Sequence, residues 1–457
     1  MARMDKSITR AERGALPTHE YVAAREMLLH IYEEQAEDDS DTEDEDSSSS
    51  DDDDDLDLPD LFSGGNDDDS GTEDDSSSDD EDGSDTDEEL EDMLFDAVVA
   101  HLDVTERGAQ LLYPMSMWVK EPWNHMDAGE FERWTNFTPD EIIRLNSLLT
   151  RCPSTIIGSG SRARSSRLYA LTIYTMRLSG RGIARPWEQI AMRLTTSEQY
   201  LTNIFSQFAY VFASVDHGYD TLATNVDVIR IQGRVEEMVN AAKELGCTLE
   251  NFIFGADGSE GRTCRPHHKF GNDMQQAVYQ GRSHIHGVTK HDLSFHDGTI
   301  VTYIGSASDH DTRLLTKSGQ MEAIECLYNP VNGKHVTGFG DQAYYKKHPL
   351  LIARPKGAIS KRKKAWYRAN NVARAATECN FKEQYRLWPF LQHRKELHLK
   401  RQSRYSVKDL FIGATILTNA YVCLNGSQAT GLFGVDPPSL EDYFENANEN
   451  KIPIMRP

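Results

Sequence analysis

Between Glu33 and Asp92 the chain carries 33 Asp or Glu and no Lys or Arg in 60 residues. Like charges at that density repel one another, and the segment has too little apolar surface to offset the entropy of collapse. The sequence therefore predicts disorder for 33–92 and withdraws it from any core. The formal charge of -26 belongs to this tract: outside it, 41 acids face 48 bases, so the other 397 residues are mildly basic. At roughly 100–200 residues per domain, that remainder predicts two or three domains. Inside the tract lies one apolar island, Leu56, Leu58, Leu61 and Phe62. It reads either as a docking motif for a partner's groove or as part of a solvated spacer.

Composition excludes several classes. No run approaches about 20 consecutive apolar residues, so no membrane span is expected. The first residues, Met1 to Arg13, are charged and lack an apolar stretch, which argues against secretion. Cysteines 152, 247, 264, 326, 379 and 423 form no CxxC pair. A disulfide framework or a structural zinc site needs tighter spacing, so they read as buried thiols in a reducing compartment.

The segment 1–32 contains one amphipathic helix, Pro17 to Tyr32, with Tyr21, Met27, Leu28 and Ile31 apolar. From 93 to 248 the periodicity is helical. Thr138-Pro139-Asp140-Glu141 is a helix start, with Thr as N-cap, Pro at the first position and Glu three residues on. A helix follows over Ser166 to Leu178. Next, Trp187, Ile190, Ala191 and Leu194 fall at helical spacing before a break at Thr195 to Ser197, where Thr195 and Glu198 read as a capping box. Leu201, Ile204, Phe205 and Phe208 continue on a second helix. Helix, tight turn, helix is the outline of a helix-turn-helix, and equally of any packed bundle. The second helix has no Lys or Arg. One more amphipathic helix spans Val226 to Leu245.

After Gly246 the period changes to that of strands. The apolar run 251–256 delivers Asp257; 283–289 and 299–304 form a pair through an Asp297-Gly298 turn. A helix from Asp311 to Leu327 follows, then strands at 335–339, closing on Asp341, and at 350–353. A long helix from about Lys364 to Leu391 carries Glu378. If the first and fourth strands are neighbours, Asp257 and Asp341 emerge at one sheet edge, with Glu378 delivered from the helix. Three converging carboxylates repel unless cations neutralise them. Hard oxygen ligands suit Mg²⁺ or Mn²⁺, and two such ions activate water or a 3′-hydroxyl against a phosphodiester. Each acid also has a plain structural reading: Asp257 in a turn, Asp341 as a cap, and Glu378 in a salt-bridge ladder with Arg374 and Lys382.

Five short motifs stand in order here: GADGSE (255–260), QGRSHIHGVTK (280–290), GSASDHDTRLL (305–315), GFGDQAYY (338–345) and RAATECNF (374–381), the last followed by RLWPFL (386–391). In this the chain resembles the PIF/Harbinger family of DDE transposases across roughly 250–425. The resemblance implies a ribonuclease-H-like nuclease domain in which Asp257, Asp341 and Glu378 hold the metals. It also implies Asp311 as a fourth, supporting acid, with Asp309 its rival, and His286 as a histidine that either stands behind the site or is structural. Where the family tends to have Gly and then Lys after the catalytic Glu, this chain has Lys382 and Tyr385. The family often works with a separate Myb-like DNA-binding protein.

DNA binding has support of its own. From Arg354 to Arg404 there are 15 Lys or Arg against three acids. Lys361, Arg362, Lys363, Lys364, Arg368, Arg374, Lys382 and Arg386 are the expected phosphate contacts. Lys361–Lys364 reads equally as a nuclear import signal.

The whole reads as an α/β protein: a helical, helix-turn-helix-like module (93–248), a ribonuclease-H-like mixed sheet flanked by helices (249–425) and a C-terminal tail (426–457). Its expected function is that of a nuclear, Mg²⁺- or Mn²⁺-dependent DDE endonuclease and transposase acting on double-stranded DNA, with an oligomer among the expected forms. The alternative is a host-adapted, non-cleaving DNA- or chromatin-binding descendant.

Overall fold

Helices make up most of the described residues before 250. The computed structural model describes residues 126–157, 164–180, 186–213, 219–266, 275–276, 278–281, 283–355, 360–370, 372–392, 397 and 405–448. The expected helix at 17–32, the acidic tract with its apolar island, and the stretch 93–125 lie outside them.

Helix α1 (Ala128–Thr135) is capped by Asp127. In α2 (Pro139–Leu148) the expected capping box is formed: Thr138 Oγ1 accepts from Glu141 N at 3.3 Å, and Glu141 Oε2 accepts from Thr138 N at 2.8 Å. A two-stranded hairpin, β1 (Thr155–Ile157) and β2 (Arg164–Ser166), comes next. Its strands are too short to give a period-2 signal, and the sequence reading missed it. Helix α3 (Arg167–Leu178) starts at an N-cap on Ser166.

Helices α4 (Trp187–Leu194) and α5 (Glu198–Ala213) are the expected pair, but their turn is built differently. Thr195 is the left-handed C-cap of α4, at φ 53°, so it cannot also cap α5. Ser197 does that, accepting from Tyr200 N at 3.2 Å. Most of α5 beyond its first turn is buried, and the exposed first turn shows Glu198 and Gln199. Tyr174 of α3 packs among Phe205, Phe208 and Phe212, with ring centroids 5.3, 5.4 and 5.8 Å away. After α6 (Asp220–Thr224), the single helix expected over 226–245 is two, α7 (Val228–Gln232) and α8 (Val235–Glu244), broken at Gly233-Arg234.

The remaining strands form one curled mixed sheet. β3 (Phe252–Arg262) pairs antiparallel with β5 (Ile285–Phe295), and β5 with β6 (Ile300–Ser306). The short β4 (Tyr279–Gln280) adds a hairpin at the start of β5. Helices α9 (Asp311–Ser318) and α10 (Gln320–Ile324) replace the single expected helix, parted by Gly319 at φ 66°. β7 (Thr337–Gly340) and β8 (Leu351–Ala353) then lie parallel on the other side of β3, giving the order β6-β5-β3-β7-β8.

The expected long helix is likewise two, α11 (Lys361–Ala369) and α12 (Val372–Leu387). Buried Asn370 holds the break: its Oδ1 accepts from Thr248 N and Leu249 N, both at 2.9 Å. The last described helices are α13 (Val407–Asn425), α14 (Gln428–Phe433) and α15 (Leu440–Asn448). The segment read as a tail thus folds through Asn448 and buries Phe433, Leu440, Tyr443 and Phe444.

Two apolar clusters result. One joins α1–α6 with α13 and α15; the other joins α7, α8, the sheet and α14. The proposed boundary at 248 therefore does not separate the cores, since C-terminal helices complete the N-terminal one. Among the described residues, α13 alone has the length and hydropathy to cross a membrane, but 78% of that window is buried inside the protein.

A charge clamp fixes the β5–β6 turn. Asp297, fully buried, accepts from Arg230 Nη1 at 2.7 Å and Arg234 Nη1 at 3.2 Å, and from Thr299 N at 3.0 Å. Burial alone would raise its pKa, but Arg230 and Arg234 bring it below the usual carboxylate value. Removing the acid strands a buried guanidinium, so Asp297→Ala is expected to cost roughly 3–5 kcal/mol, read from the urea midpoint.

Next to it, His296 is buried with its ring 3.7 Å from that of Phe433, and burial pushes its pKa down to about 3. The unfolded chain protonates this imidazole near pH 6.5, before the folded one does. Its contribution is present above that pH and lost as pH falls toward 3, by about 1.4 kcal/mol per unit. Buried His291, pushed down to about 4, acts in the same sense. His296→Phe is expected to flatten the fall in denaturation midpoint between pH 6.5 and 4.

Candidate functional site

Asp257 lies inside β3, not at its end, because β3 continues to Arg262 against β5. It does stand where pairing with β7 stops: Ala256 is aligned with Gly340, and Asp257 and Asp341 are the next residues on two parallel neighbours. Adjacent strands are about 4.8 Å apart, so sequence-distant acids are brought side by side. Asp341 also serves the structural role foreseen for it, its Oδ1 accepting from Ala343 N at 2.8 Å at the start of a 3₁₀ turn, 342–344. Asp257 Oδ1 accepts from Gly258 N at 2.8 Å.

Asp311 comes in from α9. A Cβ built on Gly258 would lie 2.1 Å from Asp311 Oδ1, so only glycine leaves room for that carboxylate against β3. The rival Asp309 is otherwise engaged: it is buried and paired with Lys317 Nζ at 2.8 Å and Arg313 Nη1 at 3.2 Å. Of the two, Asp311 is the one at the sheet edge. Glu378 is on α12, which packs across β3, β5 and β7, but its side chain lies outside the described residues, as do those of Arg368 and Arg374.

His286 is not behind this site. Asp292, not His286, faces Asp257 across β3–β5, and His286 is six residues further along β5, about 20 Å away. Its ring rests instead on Tyr279, with centroids 5.1 Å apart.

The groups that do back the acids went unnoticed in the sequence. Lys290 and Asp292, both fully buried, pair at 2.6 Å on β5. Burial pushes the Asp292 carboxyl up, against the pull of Lys290. Lys290 Nζ also donates to Gln384 Oε1 on α12, and Gln384 Nε2 donates to Thr415 Oγ1 on α13 at 2.9 Å. The helix carrying Glu378 is thus tied to the strand facing Asp257. Tyr344, three residues beyond Asp341, is the other. It is fully buried, and burial with the field of Asp311, Asp257, Asp341 and Asp292 raises its hydroxyl far above the ordinary phenol range. The signal was a Lys-x-Asp pattern within a strand, and a Tyr three residues past the Asp that follows β7.

All donors at the edge are hard oxygens, which fits Mg²⁺ or Mn²⁺. Among the described residues, no group of three or more His, Cys, Asp or Glu side chains meets the spacing of a metal centre. Of the basic residues, Lys361, Arg362, Lys363 and Lys382 are exposed, and Lys364 is partly so. Arg386 is exposed but already forked onto Glu383, through Nε at 3.0 Å and Nη2 at 2.5 Å, which weakens its case as a phosphate contact. No protein-family model, curated protein or solved structure matches the chain.

The glycine at 258 can be tested against one inside the core. Gly258→Ala meets only a side-chain end and is expected to fold normally while displacing Asp311, weakening Mn²⁺ binding about tenfold by calorimetry. Gly338→Ala would instead meet the Phe254 ring at 2.2 Å, and is expected to lower the melting temperature.

Proposed function

We propose that the chain is a divalent-metal-dependent DNA nuclease and strand transferase of the DDE type, similar to the Harbinger transposases. One observation carries the reading: Asp257 and Asp341 follow aligned residues of parallel neighbours β3 and β7, with Asp311 seated against Gly258. The strand order supports it, since the first and fourth long strands of this region are adjacent, as a ribonuclease-H-like domain requires. So does the course of the Glu378 helix over β3.

In this reading Asp257, Asp341 and Glu378 hold the ions, and Asp311 supports them. Bound Mg²⁺ or Mn²⁺ would supply charge neutralisation at the phosphate and a more acidic water or 3′-hydroxyl. The protein's own part is positioning. The sheet fixes the acids, the Lys290–Gln384 bond fixes the helix, and Lys361, Arg362, Lys363, Lys364 and Lys382 offer charge to the DNA backbone. Arg368 and Arg374 share that helical stretch. Glu198 on the exposed turn of α5 disfavours duplex gripping by the α4–α5 pair alone, which leaves terminal recognition to a partner such as a Myb-like protein. A nuclear site of action follows from the substrate and from Lys361–Lys364.

The test is nicking and end-joining of duplex DNA by the full chain with Mg²⁺ or Mn²⁺. Cleavage is expected only with metal, and Asp257→Asn, Asp341→Asn or Glu378→Gln should each reduce it at least about a hundredfold with DNA affinity retained. Cleavage that survives all three rules out the site. Metal-independent DNA binding without any cleavage favours the non-cleaving, host-adapted descendant.

A further inference from the structure

Between Asp341 and Glu378 the chain runs for 36 residues without an Asp or Glu while carrying ten Lys or Arg. The fold gathers part of this charge beside the end of β7. Lys346 and Lys347 follow Asp341 by five and six residues, and both are exposed. Lys346 holds a left-handed backbone, φ 57°, which residues other than glycine rarely adopt, and its ammonium stands 5.3 Å from the Tyr345 ring centroid. α11 brings Lys361, Arg362, Lys363 and Lys364. It is anchored on the same strand, Tyr367 resting against Phe339 with ring centroids 6.4 Å apart. None of these six cations forms an ion pair with another described residue. Elsewhere Lys317, Lys334 and Arg386 are held by Asp309, Glu250 and Glu383.

Charge alone would serve a duplex; the aromatic groups point further. Trp366 is partly exposed and joins neither apolar cluster, whereas its neighbour Tyr367 packs against the second. The two rings meet edge-on, centroids 4.9 Å apart. Trp366 is firmly placed nonetheless. Its carbonyl accepts from Asn370 Nδ2 at 2.8 Å, and buried Asn370 is bonded in turn to the backbone before β3. Arg362 and Lys363, one helical turn earlier, share its face. In a duplex the base faces are stacked on one another. An unpaired base offers its face to an indole and its phosphate to the cations alongside.

We propose that Lys346, Lys347 and the α11 face of Arg362, Lys363 and Trp366 form a binding surface for an unpaired DNA strand. Trp366 stacks a base, and the cations hold the flanking phosphates. The inference deepens the nuclease reading by naming the form of DNA taken up beside Asp341, and it rests on that reading for the choice of DNA as ligand. It requires no bound metal. Stacking is tolerant of sequence, because every base has a face, so the surface adds grip on a separated strand without reading its bases.

The test is binding of a fluorescently labelled single strand of about 16 nucleotides, and of the same sequence as a duplex, to the full chain with metal chelated. The wild type is expected to bind both, more weakly as salt rises from about 50 to 200 mM. Trp366→Ala should weaken the single strand roughly tenfold or more and the duplex less than about twofold, with an unchanged melting temperature. Trp366→Phe, which keeps a ring, should restore part of the loss. Lys346→Gln combined with Lys347→Gln should weaken both forms. On the single strand it should also lower the slope of log affinity against log salt by about 0.7 per lysine. Equal losses for both forms in Trp366→Ala, together with a lowered melting temperature, would mark the indole as structural and overturn the proposal. If Trp366→Ala binds the single strand like the wild type while the wild type cleaves DNA with metal, the surface is refuted and the nuclease reading stands. If the wild type binds neither form of DNA, that reading fails as well.

Discussion

Like charges are kept together here by backbone hydrogen bonds. Asp257 and Asp341 would separate freely in an unfolded chain, and no local feature links them. The parallel ladder of β3 and β7 aligns Ala256 with Gly340 and leaves the acids no choice of neighbour. The repulsion this imposes is small beside what the surrounding apolar packing supplies. Phe252, Ile253 and Phe254 lead into Asp257, and Val336 and Phe339 approach Asp341, all of them buried in one cluster. Apolar packing on both strands thus holds two like charges as neighbours.

The existence of the main strands was legible because apolar runs are local signals, but their ends were not: β3 runs on through Asp257-Gly258 to Arg262, and β5 reaches Phe295 where 283–289 was expected. Helix existence was legible for the same reason, and the Thr138–Glu141 cap was readable from four residues. Helix continuity was not. Three expected helices are each two, and the breaks depend on partners elsewhere. Asn370 interrupts α11–α12 to bond the backbone before β3, and Gly319 uses its positive φ between α9 and α10. Periodicity reports which face is apolar, not whether the axis runs on. The candidate site was legible to the extent that an acid follows an apolar run: Asp341 comes just after β7, whereas Asp257 lies within β3. Its backing was not, since Lys290, Asp292 and Tyr344 look like ordinary members of a strand and a turn until the register places them.

The buried Lys290–Asp292 pair shows why that backing matters. A desolvated ion pair is weak evidence for stability, since well-packed apolar residues often do as well. This one is extended by Gln384 and Thr415 into a chain of polar contacts crossing from the sheet to α12 and α13. Such a chain has few alternative arrangements, so it specifies one register of α12 over β3. Apolar packing tolerates a sliding helix; a chain of directional polar contacts does not.

The same reasoning separates Asp309 from Asp311, two residues apart and chemically alike. Asp309 is buried and its charge is consumed by Lys317 and Arg313. Asp311 begins α9, where the helix N-terminus favours a carboxylate, and it occupies space that any side chain at 258 would fill. One acid is held by two cations within the fold, and the other is seated against β3 at Gly258; what sorts two acids so close in sequence is the set of neighbours the fold gives each.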